Sequence, residues 1–131
     1  MHVYPCHTDY AGVVWHGSYV EWLEAARVDC LRSWGIAYAD LVALGCNLPV
    51  VDLSIRYRRP ILMGMDVLVC ARLLAPKRLR LPWEYEIRSG DRQTLYTTAT
   101  VTLVPVDLQG NLMGRIPPVL QAILPSHGKN T

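Results

Sequence analysis

The hydrophobic positions of this chain follow a helical period early and an alternating one later. Between about Ser18 and Trp34 an apolar stripe recurs at helical spacing, made of Tyr19, Leu23, Ala26, Cys30, Leu31 and Trp34. This spacing predicts a helix. Further apolar residues lie off the stripe, at Val20, Trp22 and Val28. More than half of the helix girth is therefore apolar, which indicates that other structure wraps around it.

Short polar and glycine positions mark where the helices begin and end. Ser18 or Gly17 is the predicted N-cap of the long helix, and Gly35 is its predicted stop signal. A second, shorter helix is predicted over residues 38–44. Both helices therefore precede most of the strands.

Alternation between apolar and polar side chains predicts the strands of the second half. The clearest run covers residues 81–88, where one face carries Trp83, Tyr85 and Ile87 and the other carries Glu84, Glu86 and Arg88. Apolar and β-branched composition predicts three more strands, over residues 48–57, 66–74 and 94–106. A short strand is also predicted over residues 2–6.

The order of these elements is typical of an α+β fold. A strand and a long helix precede about four strands joined by short turns, and Pro117 and Pro118 open a last short helix over residues 119–124. The polar tail, residues 126–131, is expected to fray. This order predicts an antiparallel sheet with the helix on one face, and the length of 131 residues predicts one domain, residues 1–131.

Composition and charge argue against several functional classes. With 51% hydrophobic and 18% charged residues the composition is that of a globular domain. A net charge of +2 without a long basic stripe argues against a nucleic-acid partner. No apolar run approaches the roughly 20 residues of a membrane helix, and the N-terminus lacks the pattern of a signal peptide. We therefore expect a cytoplasmic protein.

The cysteines lack the spacing of a metal site or a disulfide framework. Cys6, Cys30, Cys46 and Cys70 are widely separated and form no Cys-x-x-Cys pair. In a reducing compartment we expect free thiols. The sequence therefore predicts neither a metal site nor a cofactor.

One carboxylate lies in a tight polar turn directly before the long helix. Asp9 is followed by Gly12, a short apolar run and then the helix start near His16. A helix N-terminus offers unpaired N–H groups and partial positive charge to a developing oxyanion, while a carboxylate attacks a carbonyl or activates water. This pairing predicts hydrolysis of an ester or thioester. The alternative is an aspartate that only shapes its turn.

The segment around Asp9 resembles a known enzyme family. Residues 8–19, Thr-Asp-Tyr-Ala-Gly-Val-Val-Trp-His-Gly-Ser-Tyr, and residues 21–27, Glu-Trp-Leu-Glu-Ala-Ala-Arg, resemble the signature of the 4-hydroxybenzoyl-CoA thioesterase family. That family has the hotdog fold, so the resemblance implies an antiparallel sheet of about five strands wrapped around a long central helix. Its branches act on aromatic, short-chain or naphthoyl thioesters, and the acyl group stays open.

The resemblance also implies roles for individual residues. Asp9 matches the family's catalytic carboxylate, and the backbone N–H of His16 matches the group that polarises the thioester carbonyl. The expected substrate-binding residues are Trp15, Gly17 and Tyr19 at the helix start and the basic residues Lys77, Arg78 and Arg80, which correspond to the family's CoA phosphate ligands. Core packing for the aromatic residues, and a solvated strand tip for the basic ones, are the alternatives.

Family active sites lie at subunit interfaces, which implies two partners. They are an acyl-CoA substrate and further copies of the chain, in a homodimer or a tetramer of dimers. Two other functions stay open on the residues alone. One is a non-catalytic module that binds acyl-CoA, and the other is a hydratase or dehydratase in which His7 or His16 pairs with Asp9.

Overall fold

The computed structural model describes residues 1–125, in which four strands and three helices follow one another. After a 3-10 turn at Pro5–His7, the elements in chain order are α1 (His16–Ser33), α2 (Tyr38–Ala43), β1 (Val50–Tyr57), β2 (Val67–Leu73), β3 (Leu81–Ser89), β4 (Leu95–Leu103) and α3 (Pro118–Gln121). The tail predicted to fray, residues 126–131, lies outside the described residues. No helix in the described part of the chain is long and apolar enough to cross a membrane.

The four strands form one antiparallel sheet in the order β1-β4-β3-β2. One row of residues crosses all four strands, from Ile55 through Ala99 and Tyr85 to Ala71. The predicted α+β architecture, with an antiparallel sheet and a packed helix, is confirmed. Over residues 1–125 the sheet has four strands, one fewer than expected.

The strand predicted over residues 2–6 is wrong. Within that segment only His2 makes a ladder contact, an isolated bridge to Asp66, and the chain then turns at Pro5–His7. Proline fixes its own φ and has no N–H to donate, so Pro5 favours the start of a turn over a strand interior. The segment is anchored by Val3, whose N–H donates to the Met65 carbonyl at 2.9 Å.

Helix α1 lies on the face of the sheet that carries the alternating apolar residues of β3. Trp83 and Tyr85 are 2% and 1% exposed, whereas Glu84 between them points to the opposite, solvent-exposed face. Leu23 and Leu31 of α1 are buried in the same core. The predicted assignment of the two faces of β3 is therefore confirmed, and apolar burial holds α1 against the sheet.

Helix α1 begins two residues before its predicted start. Trp15, with an extended φ of −86° and ψ of 156°, is the N-cap, so the predicted caps Ser18 and Gly17 are wrong. Ser18 instead lies in the first turn, where its buried hydroxyl donates to the His7 carbonyl at 3.1 Å. The predicted stop is confirmed, because Gly35 follows the helix with a φ of +82°, which glycine adopts without a side-chain clash.

The core falls into two clusters that mark the two ends of α1. Near its N-terminus the cluster is built from Val3, Val14, Tyr19, Trp22, Ile61, Val67 and Ile87. Near its C-terminus, Leu31 packs with Leu73 and Leu81. The Asp9 turn therefore lies at the end of the sheet where β2 starts, and the hairpin between β2 and β3 lies at the other end.

One charged side chain of α1 is buried between the helix and the sheet. Arg27 is 8% exposed, and its Nη1 donates to the phenol oxygen of Tyr85 at 3.1 Å. Burial raises the pKa of Tyr85, while the hydrogen bond and charge of Arg27 act against that rise. The phenol stays neutral near pH 7 and serves as the acceptor that a buried guanidinium needs.

Replacing Tyr85 with Phe is expected to lower the free energy of unfolding by about 1–3 kcal/mol, since the buried Arg27 loses its acceptor. Urea unfolding measures the change, with Tyr10→Phe as the matched control because the Tyr10 side chain is fully exposed. Equal unfolding midpoints for the two variants would contradict this role of the pair.

Candidate active site

The carboxylate of Asp9 is fixed on one oxygen and free on the other. Its Oδ1 accepts hydrogen bonds from the N–H groups of Ala11 at 2.9 Å and Val13 at 3.3 Å. Gly12 completes the turn with a φ of +74°, and its N–H donates to the Asp9 carbonyl at 3.0 Å. Within residues 1–125, Oδ2 has no hydrogen-bond donor, so one oxygen of an exposed, oriented carboxylate is open to a ligand.

The same hydrogen-bond network ties this turn to the start of α1. The N–H of Trp15 donates to the His7 carbonyl at 3.1 Å, and the Ser18 hydroxyl donates to the same oxygen. The N–H of Val14 donates to the Ile61 carbonyl at 2.8 Å, which anchors the connecting segment on the β1–β2 loop. Asp9 and the helix N-terminus are therefore held in a fixed relation to each other.

The N-terminus of α1 supplies free hydrogen-bond donors. Among the described residues, the N–H groups of His16 and Gly17 have no acceptor, as expected for the first residues of a helix. An α-helix of 18 residues also carries a partial positive charge at this end. This end of α1 therefore suits an oxygen that gains negative charge.

A cavity of about 490 Å³ brings the carboxylate and the helix start together. Asp9, Trp15, His16 and Tyr19 all line it, which are four of the predicted site residues. Tyr19 is 2% exposed and meets the ring of Tyr57 edge-on at 4.9 Å. Burial raises the pKa of Tyr19, so its hydroxyl stays protonated at neutral pH.

Gly17 contributes through the space that it leaves. A Cβ at this position would lie 2.2 Å from the indole of Trp15, which occupies the space above the glycine. Trp15 is 45% exposed and contacts the His16 ring edge-on at 5.3 Å. The absence of a side chain at Gly17 thus lets the indole fold back over the helix start.

A second turn of the same type, at Asp107, shows which features of the Asp9 turn belong to the turn alone. Oδ1 of Asp107 accepts hydrogen bonds from Gln109 and Asn111, both at 2.9 Å, and Gly110 has a φ of +87°. This turn repeats the pattern around Asp9, but α1 does not start beside it. The position beside α1, rather than the turn itself, distinguishes Asp9.

The basic residues predicted to bind CoA phosphates do not line the Asp9 cavity. Lys77, Arg78 and Arg80 form the turn between β2 and β3, where Lys77 and Arg80 bridge each other. A seven-residue strand such as β2 is roughly 20 Å long, so within one chain this turn lies far from Asp9.

His7 does not pair with Asp9. Its Nδ1 accepts the N–H of Tyr4 at 3.0 Å, and its ring packs edge-on against Trp22 at 5.2 Å. This contact gives His7 a structural position. His16 is therefore the remaining candidate for the histidine that a hydratase would pair with Asp9.

Sequence reasoning missed the wall of the cavity opposite the helix start. Tyr57, Arg58, Arg59 and Pro60 line it from the end of β1. The arginines are clustered in the sequence, but they lie about 50 positions after Asp9, so no local motif links them to its cavity. The N–H groups of Arg58 and Arg59 both donate to the Tyr96 carbonyl, at 2.9 and 3.0 Å, which fixes this wall on β4.

A family model described as the thioesterase-like superfamily matches residues 3–124. The chain belongs to the thioesterase-like superfamily. Over 122 residues it is 47% identical to a Synechocystis protein with a provisional esterase assignment, an alignment that covers 92% of this chain and 74% of the relative. The predicted family resemblance is thereby confirmed.

Solved structures agree with this family. A DHNA-CoA thioesterase from Staphylococcus aureus matches with a TM-score of 0.79 at 31% identity, covering 86% of this chain and 76% of that one. A 1,4-dihydroxy-2-naphthoyl-CoA thioesterase from Synechocystis matches with a TM-score of 0.84 at 24% identity, covering 93% and 90%. The predicted hotdog fold is confirmed, and the superfamily confirms the enzyme class, a thioester hydrolase.

Proposed function

We propose that the protein hydrolyses the thioester of a small aromatic or short-chain acyl-CoA to the free acid and CoA. The observation that carries this proposal is the open Oδ2 of Asp9 in one cavity with the N-terminus of α1. The binding-only alternative is not favoured, because the family is one of thioesterases and a module that only binds acyl-CoA has no use for a free carboxylate beside the thioester carbon.

The N–H of His16 is proposed to bind the carbonyl oxygen of the thioester. As the carbonyl carbon becomes tetrahedral, the oxygen gains negative charge, which this N–H and the helix dipole stabilise. Gly17 leaves room for the Trp15 indole over the helix start, and Trp15 and Tyr19 are proposed to contact the substrate beside the carbonyl. The site thus fixes the scissile carbon next to Asp9.

Asp9 is proposed to act by one of two routes. In the first, Oδ2 attacks the carbonyl carbon, the carbon–sulfur bond breaks, and water then hydrolyses the mixed anhydride. In the second, Asp9 takes a proton from water, the resulting hydroxide attacks, and the carboxyl proton passes to the departing thiolate. Both routes yield one acid and one thiol, and neither uses a metal or a cofactor.

The site is proposed to be completed by a second copy of the chain. Strand β1 is an edge strand, and Val50, Val51, Leu53 and Tyr57 on it are 43–54% exposed. An exposed apolar edge strand favours pairing with another strand. Antiparallel pairing of β1 with its copy reverses the partner sheet, which brings the partner's β2–β3 turn to the end where Asp9 lies.

Lys77, Arg78 and Arg80 of that turn are proposed to bind CoA phosphates across this dimer. A homodimer is the smallest assembly that this requires, and a tetramer of dimers extends it. The four free cysteines suit a reducing compartment, so the cytoplasm is the proposed location.

The proposal is tested by thiol release from a panel of CoA thioesters. The panel holds benzoyl-, 4-hydroxybenzoyl-, 1,4-dihydroxy-2-naphthoyl-, acetyl-, hexanoyl- and palmitoyl-CoA, and CoA-ester binding is measured in parallel by calorimetry. We expect catalytic release from at least one small aromatic or short-chain member. Binding of these esters without any release would support the non-catalytic module instead.

A further inference from the structure

A second cavity meets the first one at Asp9. It has a volume of about 610 Å³ and extends past Pro5, Tyr10 and Met63. We call it the methionine cavity, and we call the first, which extends past Tyr57, Arg58 and Arg59, the arginine cavity. Asp9 and Trp15 are the residues that line both. The carboxylate is therefore reachable from two sides.

Trp15 forms the wall between the two cavities. Its backbone is fixed as the N-cap of α1 by the hydrogen bond to the His7 carbonyl. Its indole is fixed by packing over Gly17, where no Cβ stands in the way. A ligand that reaches Asp9 from both sides must pass this indole.

The two cavities differ in charge. The side chains of Arg58 and Arg59 form no ion pair within residues 1–125, so two unpaired arginines and one carboxylate are among the residues that line the arginine cavity. Among the described residues that line the methionine cavity, Asp9 carries a charge and none is a lysine or an arginine. An anionic ligand is favoured in the first and repelled in the second.

We propose that the arginine cavity receives the pantetheine arm of CoA and that the methionine cavity receives the acyl group. A thioester has two substituents on opposite sides of the carbon–sulfur bond, which matches two cavities that meet at one carboxylate. The thiol side leads to phosphates, and the exposed Arg58 and Arg59 line the way out. This assignment rests on the proposed thioesterase function, and it makes the acyl group an uncharged, apolar one.

Two pairs of substrates separate the subsites. The ratio of kcat/KM for hexanoyl-CoA over acetyl-CoA reports on the acyl subsite. The ratio for hexanoyl-CoA over its N-acetylcysteamine thioester, which lacks the phosphates, reports on the thiol subsite. Met63→Trp is expected to lower the first ratio roughly tenfold, because an indole fills the space of an apolar pocket. Met63→Ala enlarges that pocket and is expected to raise the same ratio.

The double variant Arg58→Gln, Arg59→Gln is expected to lower the kcat/KM ratio of hexanoyl-CoA over its N-acetylcysteamine thioester several-fold, since exposed charges contribute modestly. The ratio of hexanoyl-CoA over acetyl-CoA is expected to stay within a factor of about two. Leu108→Trp, at an exposed turn that lines neither cavity, controls for added bulk. Circular dichroism verifies the folding of each variant.

Two other outcomes would overturn the assignment. In the first outcome, the Met63 variants change the ratio of hexanoyl-CoA over its N-acetylcysteamine thioester, and the arginine variant changes the ratio of hexanoyl-CoA over acetyl-CoA. This result would reverse the assignment of the two subsites. In the second outcome, both ratios are unchanged in all variants, which would mean that neither cavity is a substrate subsite. A wild-type protein that releases thiol from no substrate would contradict the proposed function itself, which is a separate result from either of these.

Discussion

Replacing Asp9 with Asn is expected to lower kcat/KM for thioester hydrolysis by about 10²–10⁴-fold, the usual contribution of a positioned general base. An amide neither attacks the carbonyl nor takes a proton from water. Its oxygen still accepts the N–H groups of Ala11 and Val13, so the turn keeps its shape. The measurement is steady-state thiol release, with CoA-ester binding measured on the same preparation.

The chain supplies a matched control for this substitution. Asp107→Asn makes the same chemical change in the same type of turn, away from α1. We expect near wild-type kcat/KM for Asp107→Asn and similar unfolding midpoints for both variants. Comparable activities in the two variants would mean that Asp9 only shapes its turn.

Replacing Leu53 with Lys is expected to convert the proposed dimer into a monomer and to lower kcat/KM at least tenfold with it. Leu53 lies in the edge strand β1 and is 43% exposed, so an ammonium group there costs little in the monomer. In a paired edge each subunit buries the same charge in the interface without a counter-ion, which opposes pairing. Analytical ultracentrifugation at micromolar concentration measures the mass.

Leu108→Lys is the control for the edge-strand variant, because Leu108 is 58% exposed in a turn outside the sheet. It is expected to keep both the dimer and the activity. A wild-type protein that sediments as a monomer while it is fully active would rule out the composite site, and with it the role proposed for Lys77, Arg78 and Arg80.

Most of the fold was predictable because its signals are local. The alternation over residues 81–88 follows directly from a strand with one buried face, and Trp83 and Tyr85 are buried as that pattern requires. The wide apolar girth of α1 follows from a helix laid on a sheet. The errors lie where one residue overrides a pattern, as Pro5 does in the N-terminal segment.

The start of α1 was missed for a related reason. Trp15 is a poor N-cap by side-chain chemistry, since it offers no acceptor to the first turn. It occupies that position because the bond from its N–H to the His7 carbonyl fixes the backbone there. Ser18, the better cap by composition, uses its hydroxyl for the same carbonyl.

The candidate site could be predicted from the sequence only in its contiguous part. Asp9, Trp15, His16 and Tyr19 follow one another closely in the chain, so one motif carries them all. Arg58, Arg59 and Met63, in the β1–β2 segment, line the cavities that Asp9 also lines, and that proximity depends on the packing of the whole sheet. Periodicity within a segment carries no information about such contacts.

The most direct test of the central claim is a product analysis in ¹⁸O-labelled water with the wild-type protein and the preferred thioester from the panel. Free acid and free CoA are quantified by mass spectrometry over many turnovers. Hydrolysis predicts equal amounts of acid and thiol, with solvent ¹⁸O in the carboxyl group of the acid. Recovery of intact thioester, or of thiol without labelled acid, would contradict the assignment of this site to thioester hydrolysis.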